Sequence, residues 1–145
     1  MTGTIPHELR HIIKFQSFLL VHNHFSGSIP SWLGNHVALR SLDWPSNQWT
    51  GTLPTELGKV TGLQNLLLNE NPLLTGPIPS EVGLLTQLDT LNCISTSLTG
   101  TLPTELGQLT TLQHLEVSWT QLSGSIPSEL GFMTTLDTLW LMFNQ

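Results

Sequence analysis

The sequence predicts an α/β solenoid, a stack of short coils that each add one strand to a parallel sheet and return through a short helical turn. A repeated phrase is the first sign. Thr99-Gly100-Thr101-Leu102-Pro103-Thr104-Glu105-Leu106-Gly107 returns as Ser123-Gly124-Ser125-Ile126-Pro127-Ser128-Glu129-Leu130-Gly131. It stands also at Thr50 to Gly58 and Ser26 to Gly34, and in degraded form at Thr2 to Arg10. Its spacing is the second sign. Gly3, Gly27, Gly51, Gly76, Gly100 and Gly124 follow at intervals of 24, 24, 25, 24 and 24, so one residue is inserted before Gly76. A fixed period in the twenties marks a solenoid. The third sign is alternation: Leu115, Glu116, Val117 and Ser118 change character with period two, as in a half-buried strand.

Ahead of each glycine phrase runs a second pattern. Its first copy is Phe15-x-x-Phe18-x-Leu20-x-x-Asn23-x-Phe25, and the next is Leu39-x-x-Leu42-x-Trp44-x-x-Asn47-x-Trp49. Then come Leu63, Leu66, Leu68 and Asn71; Leu88, Leu91, Cys93, Thr96 and Leu98; Leu112, Leu115, Val117, Thr120 and Leu122; and Leu136, Leu139, Leu141 and Asn144. The apolar columns form the inner face of the strands. Asn23, Asn47, Asn71 and Asn144 sit where the chain leaves the strand, and a buried amide there can bond turn backbone that would otherwise lack partners. Thr96 and Thr120 take that place in two coils with a single hydroxyl. In the glycine phrase, Leu98 and Leu102 point inward, giving a second short strand. Pro103 suits the opening of a helical turn, and Glu105 falls where the helix dipole favours an acid. Coils one and two are the least regular: Arg10 replaces the glycine, Trp32 the glutamate and His36 an apolar column residue.

These paired patterns resemble the leucine-rich repeat, and the Leu-[Ser/Thr]-Gly-x-[Ile/Leu]-Pro phrase resembles its plant-specific subclass. The resemblance covers residues 1–145 as a single solenoid of about six coils. It implies a right-handed superhelix with a parallel sheet on the concave side, a short second sheet on the flank and short helical or 3-10 returns on the convex side. It also implies a receptor-like or secreted, inhibitor-like protein at the cell surface or outside the cell. The chain opens and closes in mid-repeat, without the paired-cysteine caps of that family and without an Asn-x-Ser/Thr sequon. The expectation is therefore a piece of a longer array or a truncated product, with self-association through uncapped ends.

Composition narrows the classes of partner. The net charge is −6 with only four Lys and Arg among 145 residues, so no basic stripe exists for nucleic acid or an anionic membrane. No apolar run reaches membrane-spanning length. Charged residues are 10% of the chain, and Thr, Ser, Asn and Gln take their place. Cys93 is the single cysteine, on an inward column, where it acts as a small hydrophobe.

Motifs with chemical meaning are few. His7-Glu8-Leu9-Arg10-His11 fits the HExxH zinc pattern. Glu8 and Leu9, however, are the Pro-x-Glu-Leu positions of every regular coil, and no third ligand stands out. His22 and His24 form an imidazole pair without a carboxylate partner, short of the three or four ligands a metal site needs. No nucleophile triad, phosphate-cradling loop or carboxylate pair can be assembled, so neither an enzyme nor a cofactor is expected.

The expected function is non-catalytic recognition of a protein, a peptide or a cell-wall glycan through the concave and flanking surface. Most outward concave positions are small and polar. Trp119, Trp140, Met142 and Phe143, with Glu116 and His114 among them, stand out in the last two coils as a candidate ligand surface. The alternative is an ice-binding or purely architectural array. Thr2, Ser26, Thr50, Thr75, Thr99 and Ser123 form one outward ladder; Thr4, Ser28, Thr52, Thr101 and Ser125 form another, broken by Pro77. Coils repeating at about 4.8 Å would set these hydroxyls and methyls on a grid, although serine at four of the eleven places thins the methyl lattice.

Overall fold

The computed structural model describes residues 1–145. The strands, in chain order, are β1 (Thr2–Gly3), β2 (Ser17–Leu19), β3 (His24–Ser28), β4 (Ser41–Asp43), β5 (Gln48–Thr50) and β6 (Asn65–Leu67). They continue with β7 (Thr75–Gly76), β8 (Thr90–Asn92), β9 (Ser97–Gly100), β10 (His114–Glu116), β11 (Gln121–Leu122) and β12 (Thr138–Trp140). The even-numbered strands make one six-stranded parallel sheet in the order β2-β4-β6-β8-β10-β12. Its register carries the repeat as the columns require: Phe18, Leu42, Leu66, Leu91, Leu115 and Leu139 face one another strand by strand. Those side chains point inward, and the core runs as one continuous cluster from Phe18 to Met133. In the second coil the core is aromatic where later coils hold aliphatic side chains. Trp44 stacks on Trp49 at 4.6 Å and takes the edge of Phe18 at 5.1 Å.

The odd-numbered strands form the flank sheet in two three-stranded pieces, β1-β3-β5 and β7-β9-β11, joined by a single bridge from Gly51 to Leu74. The break has a cause in the sequence. From Asn47 to Gly51 the chain takes four steps, but from Asn71 to Gly76 it takes five. The extra residue is accommodated by a turn, closed by Leu74 N–H on the Asn71 carbonyl at 3.0 Å, which leaves Leu73 exposed.

On the convex side each coil returns through a five-residue 3-10 helix, from His7–His11 to Ser128–Phe132. The proline lies one residue ahead of the turn, in extended conformation, and its carbonyl accepts the first bond: Leu106 N–H donates to Pro103 at 3.2 Å. The glycine that recurs in the phrase permits close stacking of these returns. A Cβ on Gly83 would lie 2.5 Å from the Glu105 carbonyl oxygen of the next coil. Arg10 carries a side chain at that place, and the first return packs less closely on the second than later returns do on one another.

The asparagine column works as a staple between coils. Asn71 Oδ1 accepts from Trp49 N–H at 3.2 Å, while its Nδ2 donates to the carbonyls of Trp44 at 3.0 Å and Leu68 at 2.9 Å. Asn47 and Asn144 bridge in the same manner, and Asn23 accepts from the chain's amino group. Thr96 reaches only the Cys93 carbonyl of its own coil, whereas Thr120 donates to Asn144 at 2.7 Å.

Candidate functional site

Four rows of residues cross the concave sheet and its rim. One runs Leu19, Asp43, Leu67, Asn92, Glu116 and Trp140, fixed by the strand register. A parallel row two positions earlier holds Ser17, Ser41, Asn65, Thr90, His114 and Thr138. Beyond the strands, Val21, Pro45, Asn69, Ile94, Ser118 and Met142 lead into the rim. The rim itself is His22, Ser46, Glu70, Ser95, Trp119 and Phe143, and every one of these has positive φ, between 51° and 58°.

Left-handed backbone is uncommon outside glycine, and for bulky side chains it is an outlier. At the rim it turns the chain out of the sheet so that each side chain projects from the edge of the concave face. Trp119 and Phe143 project together: their rings stack at 3.8 Å with 21° between planes. Trp119 is 55% exposed, Phe143 63%, Trp140 46% and Met142 52%. Ser118 departs from the expected outward orientation. It is 1% exposed, and its hydroxyl accepts the Met142 N–H at 3.1 Å. Nothing in a small polar residue at that position announces the burial.

Between the aromatics lie polar groups held by their neighbours across strands. Glu116 Oε2 accepts from Asn92 Nδ2 at 2.5 Å, and His114 Nδ1 shares a hydrogen bond with Thr138 Oγ1 at 3.0 Å. On the rim, Ser46 donates to Glu70 at 2.5 Å. Burial against the sheet raises the Asp43 carboxyl above its ordinary range. Cys93 lies fully inside, and its thiol is pushed up to about 12 by desolvation, which keeps it protonated and unreactive.

The other sequence candidates are placed as follows. His7–His11 is a 3-10 helix, not an α-helix. At about three residues per turn, side chains four apart lie roughly 120° apart around the axis, and the Arg10 guanidinium contacts both imidazoles. His22 stands on the rim while His24 begins β3 in the flank sheet. Along the flank, Thr2, Thr4, Ser28, Thr52, Thr75, Thr101, Ser123 and Ser125 are exposed, and Ser26, Thr50 and Thr99 are half-buried. Two of these hydroxyls are bonded to the preceding coil, Thr75 to the Gly51 carbonyl and Ser123 to that of Gly100. The glycine between the ladders takes positive φ, 81° at Gly100, a conformation that glycine adopts without a side-chain penalty. No helix in the structure is long and apolar enough to cross a membrane.

This architecture, strand by strand and turn by turn, is that of a repeat-protein solenoid. The family model described as leucine-rich repeat region matches residues 14–145, and the chain belongs to the leucine-rich repeat family. A search of curated protein sequences finds no significant match. Among solved structures, the plant peptide hormone receptor RGFR1 in complex with RGF2 is 35% identical, with a TM-score of 0.98; the match covers 99% of this chain and 23% of that one. The Arabidopsis receptor kinase HAESA, in complex with the peptide hormone IDA and the co-receptor SERK1, is also 35% identical, with a TM-score of 0.94, covering 99% and 24%. The chain thus spans about a quarter of the length of these receptor chains. A plant ice-binding protein is 22% identical with a TM-score of 0.72, covering 100% and 61%, a likeness of fold.

Proposed function

We propose that this chain is a non-catalytic recognition segment that binds an extended peptide, or a peptide-like stretch of a protein, along its concave face, anchored on the last two coils. The observation that carries the reading is the exposed Trp119–Phe143 stack beside Trp140 and Met142. Aromatic side chains of this kind form the anchors of interfaces, where a few residues hold most of the binding energy. Leu139, on the inward column of the same edge strand, is exposed as well; a coil added there would cover Leu139 and lie beside Trp140. The names of the similar structures add support, since RGFR1 and HAESA are both described with peptide hormones bound. A ligand-binding receptor ectodomain is the larger protein this reading suits, placed at the cell surface.

The test is selection from a displayed library of random peptides on the immobilised chain. Peptides so selected lose at least about tenfold in affinity on Trp119→Ala with Trp140→Ala, the scale of interface anchors. Equal binding to the double variant would overturn the assignment. The exposed hydroxyl ladder of the flank favours ice binding as the other reading, and it predicts thermal hysteresis that is lost when Thr52 and Thr101 are replaced by bulky residues. Hysteresis of that kind, with no peptide selected, would put the function on the flank.

A further inference from the structure

The concave face is acidic where it is not neutral. Its four rows carry Asp43, Glu70 and Glu116, and no Lys or Arg. The four basic residues all lie elsewhere. Arg10 and Lys59 are in the convex returns and Lys14 follows the first of them, while Arg40 donates its guanidinium to the carbonyls of Val37 and Leu39. Glu116 is the acid among the aromatics. It is the register partner of Trp140 on the adjoining strand, and three residues further along its own coil the Trp119–Phe143 stack rises from the rim. One of its oxygens is held by the Asn92 amide, and the other makes no hydrogen bond within the protein.

A carboxylate held through one oxygen, on the strand next to an exposed tryptophan, is complementary to one kind of side chain. A guanidinium is planar and weakly hydrated; it stacks on an aromatic face while donating to an acid. A neutral side chain would use the rings and leave the carboxylate unmatched, and an acidic one would be repelled. Resting on the peptide-binding reading above, we infer that Glu116 with Trp140 and Trp119 forms a subsite for an arginine side chain of the bound peptide. Asp43 extends the pattern. It lies on the same row as Glu116, three strand spacings away, or about 14 Å at about 4.8 Å each. An extended peptide crossing the strands covers that distance in about four residues, and residues four apart point to the same side. The ligand motif is therefore two basic residues at positions i and i+4.

The peptide selection reads this directly. Arginine is enriched in pairs four apart, and the tightest selected peptide, resynthesised with citrulline in place of arginine, loses about tenfold in affinity per site, the scale of one charge-assisted hydrogen bond. Glu116→Gln produces a similar loss and flattens the salt dependence, whereas Glu129→Gln on the convex return leaves both unchanged. Circular dichroism confirms that each variant keeps its fold. Peptides that depend on Trp119 and Trp140 but show no basic enrichment, or whose citrulline forms bind equally well, would overturn the arginine subsite and leave peptide recognition standing. If no selected peptide depends on those tryptophans, both readings fall.

Discussion

Trp119 and Phe143 hold left-handed backbone that would suit glycine. An L-residue there costs about 1–2 kcal/mol, and the stacked pair returns about 0.5–1.5 kcal/mol, so local stability gives little reason for aromatics at these places. Display on the rim does. Asp43 makes the same point by ionisation. Burial raises its folded-state carboxyl, so ionising it as pH rises through the ordinary value near 3.8 and up to the raised value weakens the folded state relative to the unfolded. Asp43→Asn is therefore expected to be more stable than the native chain at neutral pH, with the advantage vanishing below pH 3.8. Denaturant melts at pH 3 and pH 7 check this; an advantage of equal size at both would contradict it. At this scale the sequence was only partly readable. Trp119, Trp140, Met142 and Phe143 stand out by composition, but five different residue types share the six rim positions, so their uniform positive φ leaves no residue signature. Ser118 was hidden for the same reason, since its burial depends on the Met142 amide of the next coil.

At the scale of the element, the repeat is held by two columns, glycine in the return and asparagine at the strand exit. Gly83→Ala places a Cβ against the Glu105 carbonyl, and a backbone atom cannot swing aside; the expected loss is about 1–3 kcal/mol, as for overpacked cores. Gly131 occupies the same place in the last return and meets nothing within 4 Å. Gly131→Ala is accordingly within about 0.5 kcal/mol of the native chain, as for ordinary surface changes. Urea titration of the two variants distinguishes close packing from a general preference for glycine, and equal losses would contradict this account. These elements were the most legible part of the sequence, because period and alternation follow from geometry that every coil must share. The inserted residue before Gly76 showed in the spacing, but its effect, a flank sheet divided near Leu73, depends on where the turn closes.

Across the whole molecule, stacking 24-residue coils converts a local pattern into surfaces with distinct chemistry. The inner columns merge into one core, the convex side carries glutamates and lysine, the flank carries hydroxyls, and the concave face carries acids and aromatics. At this scale the sequence was legible as a division into faces, since the shared columns specify the fold and the outward rows differ from coil to coil. The most direct measurement is hydroxyl-radical footprinting of the chain with and without its tightest selected peptide. Trp119, Trp140, Met142 and Phe143 are exposed and reactive, and Phe132 on the convex return is an exposed aromatic away from the concave face. The peptide is expected to suppress oxidation of the first four and leave Phe132 unchanged. Protection of Phe132, or undiminished oxidation at Trp119 and Trp140 in the saturated complex, would contradict recognition by the concave face.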